Sequence, residues 1–212
     1  MSPRFKPIAL AASLVLAGCG GVFESKLAAP QTYVLRLPPP AATANAITID
    51  SILVQRPESS PGLDSNRIAL LRGDRRFDFF AASLWAAPAP DVVESVVVDG
   101  LRGLGSFSAV FDDSAPFAPR YDLRITLRRF EADYTAGDIP TVHVVLDCTL
   151  GRRRDRVLMA SFTAQGSAQA DADRMSSVVA AFEKATATAV AQLTQATTSA
   201  IAAEKPSPEG RR

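Results

Sequence analysis

Cysteine is scarce in this chain, with Cys19 and Cys148 the only two in 212 residues. A disulfide framework of the kind that staples small secreted domains is therefore excluded. Histidine occurs once, at His143, and tryptophan once, at Trp85. A single histidine with no cysteine companion at ligand spacing cannot build an ordinary zinc site. Excess charge is lacking too. The formal net charge is +1, so no global field draws nucleic acid or an acidic partner. Apolar runs long enough to cross a bilayer, about 20 residues, are also missing.

What is present begins at the N-terminus. Arg4 and Lys6 precede an apolar stretch from Ile8 to Leu16, and Leu16-Ala17-Gly18-Cys19 follows directly. A basic start, a short apolar core and small residues before a cleavage point make a secretory signal sequence. Leucine three places before the cut, small residues at the next two, and cysteine just after match the lipobox of bacterial lipoproteins. Cys19 is the expected lipidation site: its thiol takes a diacylglycerol, and small residues before it let the peptidase reach the bond. One acyl chain anchors marginally, and two or more anchor stably. Residues 1–18 are thus the signal peptide and 19–30 a lipidated tether. Residue 20 is Gly rather than Asp, which favours the outer over the inner membrane.

Residues 31–203 then read as one α+β, two-layer domain, with a mixed sheet packed by two long helices. Alternation and β-formers predict strands at 31–37, 46–55, 106–112, 121–134, 141–150 and 157–168. A hairpin is expected over 67–80, turning near Gly73-Asp74. Val92, Val93, Val96, Val97, Leu101 and Leu104 recur at helical spacing, with Asp91 as a candidate cap. Gly100, Gly103 and Gly105 read as a helix C-terminus. A second helix carries Val178, Phe182, Ala185, Ala189, Leu193 and Ile201 on one face, capped by Asp171 or Asp173. Its Ala-rich stripe favours close packing on a sheet. Residues 204–212 read as a disordered tail.

Little of this carries chemistry. His143 lies mid-strand and reads as a solvent-facing residue, and Cys148 as a small buried hydrophobe. No nucleophile elbow, phosphate loop or paired carboxylates stand out, so no catalytic residue, metal or cofactor is expected. Arg152 to Arg156 (RRRDR) forms the tip between two strands. Such charges solvate a turn or make an anionic contact. Phe77, Phe79, Phe80 and Trp85 crowd one segment. They either knit a hairpin to a helix or serve as partly exposed docking anchors.

The order of these features resembles the ABC-type transport auxiliary lipoprotein family, which includes the paraquat-inducible C group. The resemblance runs from the lipobox through Tyr33-Val34-Leu35 and the Gly73-Asp74 hairpin. It continues through Phe79-Phe80-Ala81-Ala82-Ser83-Leu84-Trp85-Ala86-Ala87-Pro88, Leu104-Gly105-Ser106-Phe107, Tyr121-Asp122-Leu123 and Phe130-Glu131-Ala132. Ala180-Ala181-Phe182-Glu183-Lys184-Ala185 closes it. Ala89-Pro90 departs from the pattern, which concerns only the helix start. The resemblance implies a non-enzymatic component of a lipid transport system. Its implied partners are an MCE (mammalian cell entry) domain protein, a permease and an ATPase. Its implied location is the periplasmic face of the outer membrane. Ring-forming members imply a homo-oligomer. Two rival classes are an activator of a cell-wall synthase, which gene neighbourhood would reveal, and a periplasmic hydrolase, which would need a pocket at His143.

Overall fold

The computed structural model describes residues 29–38, 49–114 and 116–204. The signal peptide, Leu16, Ala17, Gly18, Cys19, the tether up to residue 28, and the tail from residue 205 lie outside the described residues. In chain order the elements are β1 (Gln31–Tyr33), β2 (Ile52–Val54), β3 (Glu58–Ser59), β4 (Arg67–Leu71) and β5 (Phe77–Trp85). Then come α1 (Ala89–Gly103), β6 (Val110–Phe111), β7 (Tyr121–Asp133), β8 (Thr141–Arg152), β9 (Val157–Gln169) and α2 (Met175–Ala202). The described strands form one open, mixed sheet of nine strands, as the α+β reading expects.

The centre of the sheet is β7. On one side it pairs antiparallel with β8, and β8 with β9. On its other side three segments follow one another along its length, all parallel to it. Residues of β2 pair near its start, β3 in the middle and β4 near its end. Beyond these lie β6 against β2 and the β5–β1 pair against β4. The alternation that marks β8 as a strand also sets its faces. Val142, Val144, Leu146, Cys148 and Leu150 are buried, and the residues between them are not. Period-2 alternation puts one set under the helices and leaves the other outward.

Several short elements differ from the sequence expectation. The first strand stops at Tyr33, although Leu35 stays buried. Residues 46–48 of the second lie outside the described residues, and its described part holds Ile52–Val54 plus a single bridge at Ile49. The strand expected over 106–112 shrinks to Val110–Phe111. β2, β3 and β4 share one edge of the same long strand, which leaves each only a short ladder. Asp91 does not cap α1. Pro88 occupies that position, and Asp91 pairs with Arg56 in the first turn. Likewise α2 starts at an extended Arg174 with no side-chain cap. Asp173 instead accepts from the Tyr134 hydroxyl at 2.7 Å.

Two glycines fix how the layers meet. A Cβ at Gly166 would lie 2.0 Å from the Ala185 carbonyl oxygen, so α2 rests with its backbone directly on β9. Ala181, Ala185 and Ala189 supply the matching shallow surface. A Cβ at Gly100 would lie 2.6 Å from Val190 Cγ1. Gly100 is therefore a helix–helix contact rather than part of a C-cap. Gly105, with φ +64°, takes that role after Leu104.

Candidate functional site

The four aromatic residues singled out by sequence separate onto two faces. Trp85 is a core residue, 1% exposed, and it is not available as a docking anchor. It ends β5 on the helix-covered face. There it meets Phe182 of α2 edge-on at 5.1 Å between centroids and Phe130 of β7 at 5.7 Å. Phe130 and Phe182 themselves stand 4.9 Å apart. Edge-to-face contacts of this kind add to area burial. The Trp85 Nε1–H has no partner among the described residues, so packing alone holds the ring. Phe80 is half-buried, 6.3 Å from Tyr134.

Phe77 and Phe79 point the other way. They sit edge-to-face at 5.3 Å, and Phe77 is 44% exposed. The Arg67 guanidinium lies 3.8 Å from the centroid of the Phe79 ring, a cation–π contact. Gly62, at φ +90°, lets a loop close onto the Phe77 ring. Phe79, Ala69, Glu131 and His143 share one row across β5, β4, β7 and β8. An aromatic corner thus adjoins a charged one. There Arg129 binds Glu131 at 2.6 Å and Asp133 at 3.1 Å. His143 is half-buried, its Nε2 3.9 Å from Asp133. Glu131 also accepts from the Phe130 N–H, so the cluster is a satisfied ion-pair network.

On the opposite face an apolar groove of about 880 Å3 runs between α1 and α2. Leu35, Leu37, Val96, Gly100, Leu104 and Val190 line it, with Arg36, Asp99 and Gln195 at its polar positions. Sequence reasoning did not find it. The only available signal was Gly100 in α1, which packs against Val190 and Thr194 of α2 and which the C-cap reading of the glycines obscured.

Cys148 is buried, and burial pushes its thiol up to about 12, so it stays a protonated thiol. Among the described residues no group of three or more His, Cys, Asp or Glu is arranged to hold a metal ion. No described helix is long and apolar enough to cross a membrane.

At the far end of the sheet Glu204 closes the domain at the boundary with the tail. It accepts from the Tyr121 hydroxyl at 2.8 Å and pairs with Arg152 and Arg120. The Tyr121 hydrogen bond, then Arg152, hold its carboxyl below the usual glutamate range. These cations also lie near the C-terminus of α2, where the helix dipole favours positive charge.

Comparison with known proteins bears on this arrangement. A protein from Xanthomonas campestris, of the family DUF330, has a similar solved structure, with a TM-score of 0.71 and 26% identity over 81% of this chain and 95% of that one. A second solved structure, of an uncharacterized protein, matches at TM-score 0.63 and 16% identity over 79% of this chain and 98% of that one, which speaks to fold alone. No curated protein matches. The model of the ABC-type transport auxiliary lipoprotein component family matches residues 33–194. The chain therefore belongs to that family, whose members are membrane-anchored envelope proteins associated with an ABC transport system.

Proposed function

We propose that this protein is a periplasmic lipoprotein, anchored to the outer membrane through acyl chains on Cys19, that serves an MCE-type lipid transport system by protein docking. The observation that carries this reading is the family match across residues 33–194. Two features of the fold support it. The exposed Phe77 ring, with Phe79 and Arg67 beside it, has the composition of a binding hot spot. The groove between the helices has the size and lining of a site for an apolar molecule, which fits a role near hydrophobic cargo. Docking needs only a small anchor cluster because the acyl chains hold this protein at one surface and raise its local concentration for a partner that reaches that surface. A homo-oligomer formed through the same envelope-facing domain belongs to this reading.

The test is capture of the lipidated protein from detergent-solubilised envelopes, with mass spectrometry of what comes with it. An MCE-domain protein with its permease and ATPase is the expected catch. Phe77→Ser, at the more exposed ring, should melt closer to the parent temperature than Phe79→Ser and still weaken that catch. A cell-wall synthase in place of an MCE protein would move the function to the activator class.

A further inference from the structure

The turn between β8 and β9 concentrates positive charge that the domain does not use. Arg152 is satisfied: Asp155 binds its guanidinium through two nitrogens, at 2.9 Å and 2.6 Å, and Glu204 takes a third. That leaves Arg153, Arg154 and Arg156, all exposed and without an ion pair among the described residues. The turn is tight and well defined. Arg156 adopts φ +57°, and the Arg153 N–H donates to the Arg120 carbonyl at 2.9 Å. The acids nearby are already engaged. Asp155 and Glu204 serve Arg152, Asp50 lies 3.7 Å from Arg120, and Asp112 accepts from Ser114. Asp113 is exposed and has no ion pair among the described residues.

Apolar side chains flank the arginines where solvent alone would favour polar ones. Val157 is 42% exposed and Leu158 63%. Phe117, three residues before Arg120, is 65% exposed and stacks on Phe111 at 5.3 Å. Unpaired arginines beside exposed Val, Leu and Phe at the end of a sheet form a surface with two kinds of affinity. Guanidinium groups bind phosphate through paired hydrogen bonds. Their aliphatic stems and the apolar neighbours favour the boundary between headgroups and acyl chains.

We infer that this tip docks on a membrane surface bearing anionic phospholipid headgroups, as a second contact beside the acylated N-terminus. The inference rests on Cys19 lipidation. A tether from residue 19 to residue 30 can span at most about 40 Å at 3.3–3.6 Å per residue, so the membrane is within reach of either end of the domain. The diacylglycerol on Cys19 already supplies two chains and stable attachment, so the tip contact adds orientation rather than anchoring. The contact would fix which end of the domain faces the bilayer.

The test is amide hydrogen exchange on the full lipidated chain. It is reconstituted in vesicles of phosphatidylcholine with phosphatidylglycerol, and in phosphatidylcholine alone. The mass of the acylated N-terminal peptide reports lipidation separately, so loss of the anchor and loss of the tip contact are distinguishable. Exchange over residues 153–158 should slow only on the phosphatidylglycerol vesicles. The protection should fall roughly fivefold for each of Arg153, Arg154 and Arg156 replaced by Ser and should fade at high salt. Leu158→Ser should weaken it without changing the melting temperature. Equal exchange on both vesicles, or protection that survives the triple substitution, would overturn the inference. So would protection given by a purified MCE-domain protein but by neither vesicle, which would make the tip a protein contact.

Discussion

The second half of the domain is built of long, regular elements, and the first half of fragments. From Tyr121 onward three strands of 12 or 13 residues and a 28-residue helix follow one another with short turns. Before it, β1, β2, β3 and β6 have two or three residues each. The difference lies in what holds each half. The long strands pair with their sequence neighbours and bury one face under α2. The fragments are placed by distant partners, chiefly the open edge of β7 and the core beneath it. Regular sequence pattern therefore marks the half that organises itself, and broken pattern marks the half that is organised by the other.

The largest effect should come from breaking the joint between the halves. Trp85→Ala removes the ring that ties β5 to Phe130 and Phe182 and should cost about 3–5 kcal/mol. Denaturant unfolding would measure it. A loss below about 1 kcal/mol would mean that the halves are held together elsewhere.

A second substitution strikes only the self-organising half. Gly166→Ala places a methyl group against the Ala185 carbonyl. The helix must lift from the sheet, and overpacking of this kind costs about 1–3 kcal/mol, occasionally more. If the melting temperature does not fall, α2 has slack that the close contact conceals.

The smallest effect concerns the end of α2. The folded carboxyl of Glu204 titrates below the ordinary glutamate value because Tyr121 and Arg152 bind its charged form. The stability it contributes is fully present above about pH 4.3 and is lost as the pH falls through the lowered folded value. Thermal melting of the parent and Glu204→Gln at neutral and acid pH would isolate it. The two should differ at neutral pH and converge in acid.

These contrasts also explain what could be read from the sequence. The α+β class, β7, β8, β9 and both helices follow from local period, whereas β5 runs on to Trp85, five residues past the expected hairpin end at Phe80, because its burial does not alternate. Trp85 could not be placed, since a large apolar side chain suits a core and an interface equally. Its neighbours on β7 and α2 decided the matter. Asp91 looked like a cap until Arg56, 35 residues away, claimed it. Gly100 carried a packing role that only the position of Val190 reveals. The groove and the unpaired arginines depend likewise on which elements come together. Cys19, the proposed anchor, is the opposite case, because a lipobox is a linear pattern that needs no tertiary contact to be read.

The arrangement of β7, with three separate segments laid along one edge, has a consequence for how the protein is made. Synthesis from the N-terminus produces β2, β3 and the open edge of β4 before the strand that pairs with them. Until Tyr121–Asp133 follows, those backbone donors and acceptors find only water, and only the β4–β5 hairpin and the β1–β5 and β2–β6 pairings are open to them. The leading half therefore lacks its main pairing edge until that strand is made. Because these pairings are long-range, the order of the strands sets the order in which the sheet can close, with the central strand deciding when the leading segments join it.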